Sequence, residues 1–132
     1  MLRPVIKSMR PHQWYKNFVI FLCIIFSKNI LNLEMWLDLL LIFFVFCMLA
    51  GSQYILNDLK DIEKDRLHPK KRNRPIAAGL LPVKIALFIS FTIMAVSLAI
   101  AFSMGQLVGI VSLLYLANSI VYSFYFKNFA IV

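Results

Sequence analysis

Asn57-Asp58-Leu59-Lys60-Asp61-Ile62-Glu63-Lys64-Asp65-Arg66-Leu67-His68-Pro69-Lys70-Lys71-Arg72-Asn73-Arg74-Pro75-Ile76-Ala77-Ala78-Gly79 is a charged island in an otherwise apolar chain. It holds four of the six acidic residues and seven of the fourteen Lys and Arg. Apolar runs flank it at residues 36–56 and 85–104, and another follows at 107–126. Each approaches the roughly 20 residues that a helix needs to cross a bilayer. The island therefore reads as a polar loop, residues 57–84, between membrane spans, and any chemistry belongs there.

Composition agrees. The chain is 61% hydrophobic with a mean hydropathy of +0.80, above the roughly 45–50% apolar usage of soluble proteins. The predicted class is an all-α transmembrane bundle of one unit, residues 1–132, with about four spans near 14–32, 36–56, 85–104 and 107–126. A net charge of +8 and a pI near 9.8 would also suit a nucleic-acid binder. The basic residues border membrane-length apolar runs instead, so no nucleic-acid partner is expected. Cys23 and Cys47 lie within apolar runs without CxxC spacing, which indicates packing rather than zinc or a disulfide framework.

Before the first run stand Arg3, Lys7, Arg10 and Lys16, with Trp14 and Tyr15 suited to the headgroup level. No small-residue cleavage site follows, so the first span reads as uncleaved. Residues 33–35 read as a brief turn, and Gly105-Gln106 as a tight hairpin. Lys127-Asn128 and the apolar Phe129 to Val132 resemble the start of a further span that is cut off. Thirteen Lys and Arg fall on the side of the N-terminus, the loop and Lys127, against Lys28 alone on the other. The positive-inside rule then puts the N-terminus and the loop in the cytoplasm, in a multi-pass protein of the inner membrane.

If the second helix continues through the island, 100° per residue puts Asn57 at about 0°, Asp61 at about 40°, Asp65 at about 80° and Asp58 at about 100°. Glu63 falls near 240° and is expected in solvent. Crowded carboxylates raise each other's pKa unless a cation neutralises them. One or two carboxylates with water and phosphate oxygens satisfy Mg²⁺, and the C-terminal end of the helix dipole adds attraction. Arg66, Lys70, Lys71, Arg72 and Arg74 follow within nine residues, and phosphate oxygens account for them. Together the two parts describe a magnesium–diphosphate site at the membrane surface. The plainer alternative is a set of solvated i,i+3 and i,i+4 pairs before an ordinary basic loop. His68 is a phosphate contact, a general acid or simply solvated. Tyr115, Asn118, Tyr122, Ser123 and Tyr125 either line a cavity or pack.

Asn57-Asp58-x-x-Asp61-x-x-x-Asp65-Arg66, followed by Arg74-Pro75-Ile76-x-x-Gly79, resembles the first aspartate-rich motif of the UbiA superfamily of intramembrane prenyltransferases. Arg10-Pro11-x-Gln13-Trp14-x-Lys16-Asn17 and His68-Pro69-x-Lys71-x-x-Arg74-Pro75-Ile76-Ala77-x-Gly79 are similar to its decaprenyl-phosphate phosphoribosyltransferase subgroup. Tyr122-Ser123-x-x-x-Lys127 resembles the segment that precedes the family's second aspartate-rich motif.

The resemblance implies the first half of a UbiA-type fold and Mg²⁺-dependent transfer of a 5-phosphoribosyl group from phosphoribosyl diphosphate to a polyprenyl phosphate, a step in cell-envelope polysaccharide synthesis. It implies that Asp58, Asp61 and Asp65 hold Mg²⁺, with Asn57 joining or orienting them. Lys16, Asn17, Arg66, Lys71, Arg74, Tyr122 and Lys127 would bind the phosphate groups. The acceptor phosphate is already an anion, so no general base is required. A prenyl diphosphate donor with an aromatic or other acceptor is the alternative within the family. A transporter or non-catalytic membrane subunit is the alternative outside it, although the predicted spans place few ionisable residues at mid-membrane. The chain alone is expected to be inactive, needing a separate C-terminal half or a second copy as partner.

Overall fold

The longest helix is started by a side chain. Asn32 accepts the Met35 backbone N–H on its side-chain oxygen at 3.2 Å and so satisfies one of the donors that open a helix. In the computed structural model, which describes residues 2–22 and 31–123, the helix then runs Leu33–Lys60. Residues 33–35 are thus its first turn rather than the separate turn expected, and it continues four residues past the predicted end at 56.

In chain order the elements are α1 (Leu2–Ser8), a 3₁₀ segment (Pro11–Phe21), α2 (Leu33–Lys60), α3 (Ile62–Arg66), a 3₁₀ turn (Lys71–Asn73), α4 (Val83–Met104) and α5 (Gln106–Val121). The described residues contain no strand, in keeping with the all-α expectation. Among them, α2 and α4 are long and apolar enough to cross a membrane, with mean hydropathies of 2.3 and 2.5. The 16 residues of α5 make a shorter apolar helix, and residues 124–126 of the predicted fourth span lie outside the described set. The predicted first span is corrected at its start. Pro11–Phe21 forms a 3₁₀ helix, not an α-helix, while residues 23–30 of that span lie outside the described residues. The hairpin at Gly105 is as expected: φ 156 and ψ 152 there belong to a region essentially reserved for glycine.

Helix α2 is the hub and packs against α4, α5, the 3₁₀ segment and α1. Small residues let it approach α4 closely. Ser52, Ala86, Ser90 and Ala101 are fully buried, and Ser90 Oγ donates to the Ser52 carbonyl at 3.0 Å. Lipid offers no hydrophobic drive for helices to associate, so close van der Waals contact and such bonds hold them together.

Two apolar clusters result. Val45, Leu49, Met94, Ala101 and Leu116 join α2, α4 and α5. Val5, Met9, Ile55, Ile76, Leu81 and Ala86 join the N-terminal segment and the polar loop to α2 and α4. The second cluster explains why a highly charged loop is ordered: Ile76 and Leu81 are each 1% exposed and pin it to the helices. Ile76→Ala should accordingly lower stability by about 2–5 kcal/mol, the usual cost of an aliphatic truncation to Ala in a core. Leu67→Ala, at a side chain 88% exposed, should change it by no more than about 0.5 kcal/mol. Thermal unfolding of both variants in detergent, followed by circular dichroism, is the check.

Candidate functional site

Helix α2 stops at Asp61, where φ −99 and ψ 16 leave the helical region while the Asp61 N–H still reaches the Asn57 carbonyl at 3.0 Å. The chain re-enters a helix at once as α3. This break does not separate the acids that matter most. Asp58 and Asp65, each 2% exposed, both accept from one nitrogen: Arg74 Nη1 is 3.3 Å from Asp58 Oδ1 and 3.3 Å from Asp65 Oδ2. Arg10 Nη2 approaches Asp58 Oδ1 more closely, at 2.7 Å. Carboxylates this deeply buried require countercharge, because an unpaired one costs several kcal/mol.

Each arginine is delivered by a constrained backbone. Arg74 has φ −62 and ψ 142, the extended form required before a proline. Beyond it the chain closes on itself: the Arg74 carbonyl accepts from Ala78 N–H at 2.8 Å, and the Pro75 carbonyl from Leu80 N–H at 2.8 Å. Gly79 turns with φ 80, a left-handed conformation that glycine adopts at no cost. Arg66 Nε donates to the Ala77 carbonyl at 3.0 Å and ties α3 to this turn. The spacing Arg74-Pro75-Ile76-x-x-Gly79 is thus a buried anchor carrying a cation.

Arg10 comes from the opposite side. It has φ 52, and its guanidinium lies over the Tyr54 ring, 4.6 Å from the centroid. The neighbouring Met9 carbonyl is held by Trp14 Nε1 at 3.0 Å.

Between these arms lies a cavity of about 270 Å³ lined by Lys7, Arg10, His12, Gln13, Asp58, Arg74 and Pro75. It presents three cations around one carboxylate. A second cavity, of about 260 Å³, lies along α2 and α5, with Gln53, Tyr54, Asn57, Tyr115, Asn118 and Tyr122 in its wall together with Ser119 and Ser123. Asn57 belongs to this second cavity, where its side-chain oxygen accepts from Ser123 Oγ. Lys60 Nζ donates to the Ser123 carbonyl. Asn57 and Asp58, one step apart on α2, therefore serve different cavities, and Tyr54, in the wall of the second, carries on its ring the Arg10 guanidinium that lines the first.

The remaining sequence-predicted residues are distributed as follows. Asp61 is half-buried at the helix break. Glu63 is exposed, as its helical angle indicated. Lys71 is exposed, and its N–H donates to His68 Nδ1 at 3.1 Å, so His68 acts as a turn cap here. Lys16 is exposed on the 3₁₀ segment. Asn17 Nδ2 points at Cys47 Sγ, 3.6 Å away. That is eleven residues, or about 16 Å of helix, from Asp58. Tyr122 lines the second cavity, and so do Tyr115, Asn118 and Ser123; Lys127 and Tyr125 lie outside the described residues. Sequence reasoning missed Lys7, Arg10, His12 and Gln13 as pocket residues. Lys7 and Arg10 were visible as basic residues before the first apolar run, and Arg10 and Gln13 as members of the Arg10-Pro11-x-Gln13-Trp14 signature, but neither feature pointed to a pocket.

Two buried carboxylates sharing one cationic nitrogen are a donor set that fits Mg²⁺, which binds through one or two carboxylates and fills its octahedron with water and substrate phosphate. Among the described residues no three Asp, Glu, His or Cys side chains gather into a larger metal cluster.

Known proteins resemble the chain in sequence. The chain is 36% identical to the decaprenyl-phosphate phosphoribosyltransferase of Corynebacterium glutamicum over 97% of its own length and 40% of that protein's. It is 34% identical to the enzyme of the same name from Mycobacterium tuberculosis, over 97% of its length and 44% of the relative's. It is also 34% identical over 67% of its length to the digeranylgeranylglyceryl phosphate synthase of Methanosarcina barkeri, covering 29% of that protein. The chain thus spans less than half the length of each of these relatives. The UbiA prenyltransferase family matches residues 12–132, a stretch that includes the acidic pair, Arg74 and the apolar helices, and the chain is a membrane protein belonging to that family.

Proposed function

We propose that the protein forms the donor side of a magnesium-dependent transferase that moves a 5-phosphoribosyl group from phosphoribosyl diphosphate to a polyprenyl phosphate. The observation that carries this reading is the cavity in which Asp58 stands beside Arg10, Arg74 and Lys7, with Asp65 on the same Arg74 nitrogen. Cations and carboxylates in that mixture suit a diphosphate accompanied by a divalent ion. Two relatives matched over 97% of the chain, at 36% and 34% identity, are phosphoribosyltransferases by name, and a digeranylgeranylglyceryl phosphate synthase matches 96% of it at a lower 30%; the higher identities support the phosphoribosyl donor.

The second cavity favours the same choice. Gln53, Asn57, Asn118 and Ser119 in its wall offer amide and hydroxyl partners, and these suit ribose hydroxyls better than a prenyl chain.

In the proposed reaction the ribose C1–O bond to the diphosphate breaks and the diphosphate departs with the electron pair. C1 passes through an oxocarbenium-like state, and an oxygen of the lipid phosphate forms the new bond. Mg²⁺ held by Asp58 and Asp65, with Asp61 nearby at the helix break, would stabilise charge on the departing diphosphate, while Asn57 faces the second cavity. Arg10, Arg74 and Lys7 bind and orient the diphosphate oxygens, and Arg66 and Lys71 add the positive charge of the same loop. Fixed cations act where charge develops and need no reorganisation. The charge distribution along the chain supports a cytoplasmic loop and an inner-membrane location.

Two outcomes test the reading. With the protein in lipid nanodiscs and Mg²⁺ present, radiolabelled phosphoribosyl diphosphate should bind and be displaced by unlabelled pyrophosphate. Binding of a labelled prenyl diphosphate with no binding of the ribosyl donor would give the alternative donor instead. Asp58→Asn and Asp61→Asn should each weaken Mg²⁺-dependent donor binding about tenfold or more, the scale of one lost charge-assisted contact. Glu63→Gln, at an exposed side chain, should stay within about twofold. Equal losses in all three variants would show that general charge, not a built site, attracts the donor.

A further inference from the structure

We propose that Arg10 is a positioning residue for Asp58 and a phosphate-binding wall of the first cavity, and that the contact between Met9 and Gly51 seats it there. The proposal rests on the reading of this cavity as the diphosphate site.

Three observations carry it. Arg10 makes the shorter of the two contacts to Asp58, 2.7 Å against 3.3 Å for Arg74, which divides its Nη1 between two acids. The rotamer of Asp58 is therefore set chiefly from the N-terminal side. Arg10 is also over-determined. Its φ of 52 is uncommon for a residue with a Cβ, and such conformations persist where the surroundings enforce them. The Arg10 carbonyl accepts from Gln13 N–H at 2.9 Å, Trp14 holds the Met9 carbonyl at 3.0 Å, and the guanidinium lies on Tyr54.

Finally, the segment that carries Arg10 is docked where α2 lacks a side chain. A Cβ added at Gly51 would stand 2.5 Å from Met9 Cε and 2.9 Å from Met9 Cβ. Met9 is 5% exposed and belongs to the cluster with Ile55 and Ile76, so the segment itself would have to move. Gly51 thus controls, two turns away along α2, where the Arg10 guanidinium meets Asp58.

A guanidinium has five N–H donors in a fixed fork. With one nitrogen on Asp58 and the group lining the cavity, the others remain for a phosphate. Lysine at this position would keep the charge and lose the fork.

The test uses the 132-residue chain in lipid nanodiscs, inorganic pyrophosphate with Mg²⁺ as the probe, and a Trp36→Phe background in which Trp14 is the single tryptophan. Arg10→Ala should weaken pyrophosphate binding about tenfold or more, and Arg10→Lys should recover part of that loss. Gly51→Ala, which leaves Arg10 in place, should weaken binding to a similar degree while Trp14 emission shifts to the red as the segment lifts. If Arg10→Ala fails to fold by circular dichroism, Arg10→Lys and Gly51→Ala decide. Parent-like binding in the Arg10 variants, or a red shift in Gly51→Ala without loss of binding, overturns the proposal. If these variants bind normally while Asp58→Asn does not, the diphosphate reading survives and the role of Arg10 does not. A parent chain that binds no pyrophosphate overturns both.

Discussion

One nitrogen of Arg74 lies 3.3 Å from carboxylate oxygens of both Asp58 and Asp65, and the shape of this end of the molecule follows from what it takes to put it there. Two nearly inaccessible acids at the end of an apolar helix could not remain charged without neutralisation. Arg74 stands sixteen positions after Asp58, so the loop must double back. The apolar anchor at Ile76 and Leu81 makes that return favourable. A loop chosen only for solvation would need no such anchor, and its Ile76 would not be buried to 1%.

The same constraint reaches into the helix bundle. Arg10 can touch Asp58 only if α1 and the following segment lie close on α2, and the close approach is granted by Gly51 beneath Met9. On the neighbouring face, the serines and alanines of α2 and α4 bring those helices together. Small residues on α2 therefore do two jobs. Toward α4 they replace a hydrophobic drive that lipid cannot supply. Toward the N-terminus they set the position of a cation.

Much of this was legible from residues alone. Helix class and the Gly105 hairpin follow from apolar run length and from the only kind of residue that tolerates such a turn, whereas the loop is shorter than expected because α2 runs on to Lys60. Asp58 and Asp65 were expected on one face, and they do converge. The route differs from the one assumed, because the helix expected to run on from Asp58 to Asp65 is interrupted between them. Asn57 stands about 100° from Asp58 on the same unbroken turn of α2 and so faces α5 and Ser123, while the break at Asp61 falls between Asp58 and Asp65. No periodicity argument sees such a break, since Asp61 lacks any Gly or Pro to announce it and local geometry there is set by tertiary pairing. Arg10 was hidden for a similar reason. Its contact spans 48 positions, and in sequence it is one of four basic residues preceding an apolar run. The 3₁₀ form of Pro11–Phe21 was equally invisible, because its composition suits an α-helix as well.

The two arginines on Asp58 are not equivalent, and the difference bears on how a charged ligand could enter. Arg10 makes one short contact, is stacked on Tyr54 and has its backbone tied by Met9 and Trp14. Arg74 makes two long contacts and keeps 30% of its side chain exposed, against 22% for Arg10. Hydrogen bonds between charged groups are strongest near 2.7–2.9 Å and weaken with length. A cation entering between the acids would therefore displace Arg74 at less cost than Arg10. Arg74 is itself tethered by Pro75 and the buried Ile76 in the wall of the cavity. A buried ion pair held too well would exclude the ligand, and one not held at all would not fold. Dividing the neutralisation between a fixed arginine and a shared one satisfies both requirements with the same two residues.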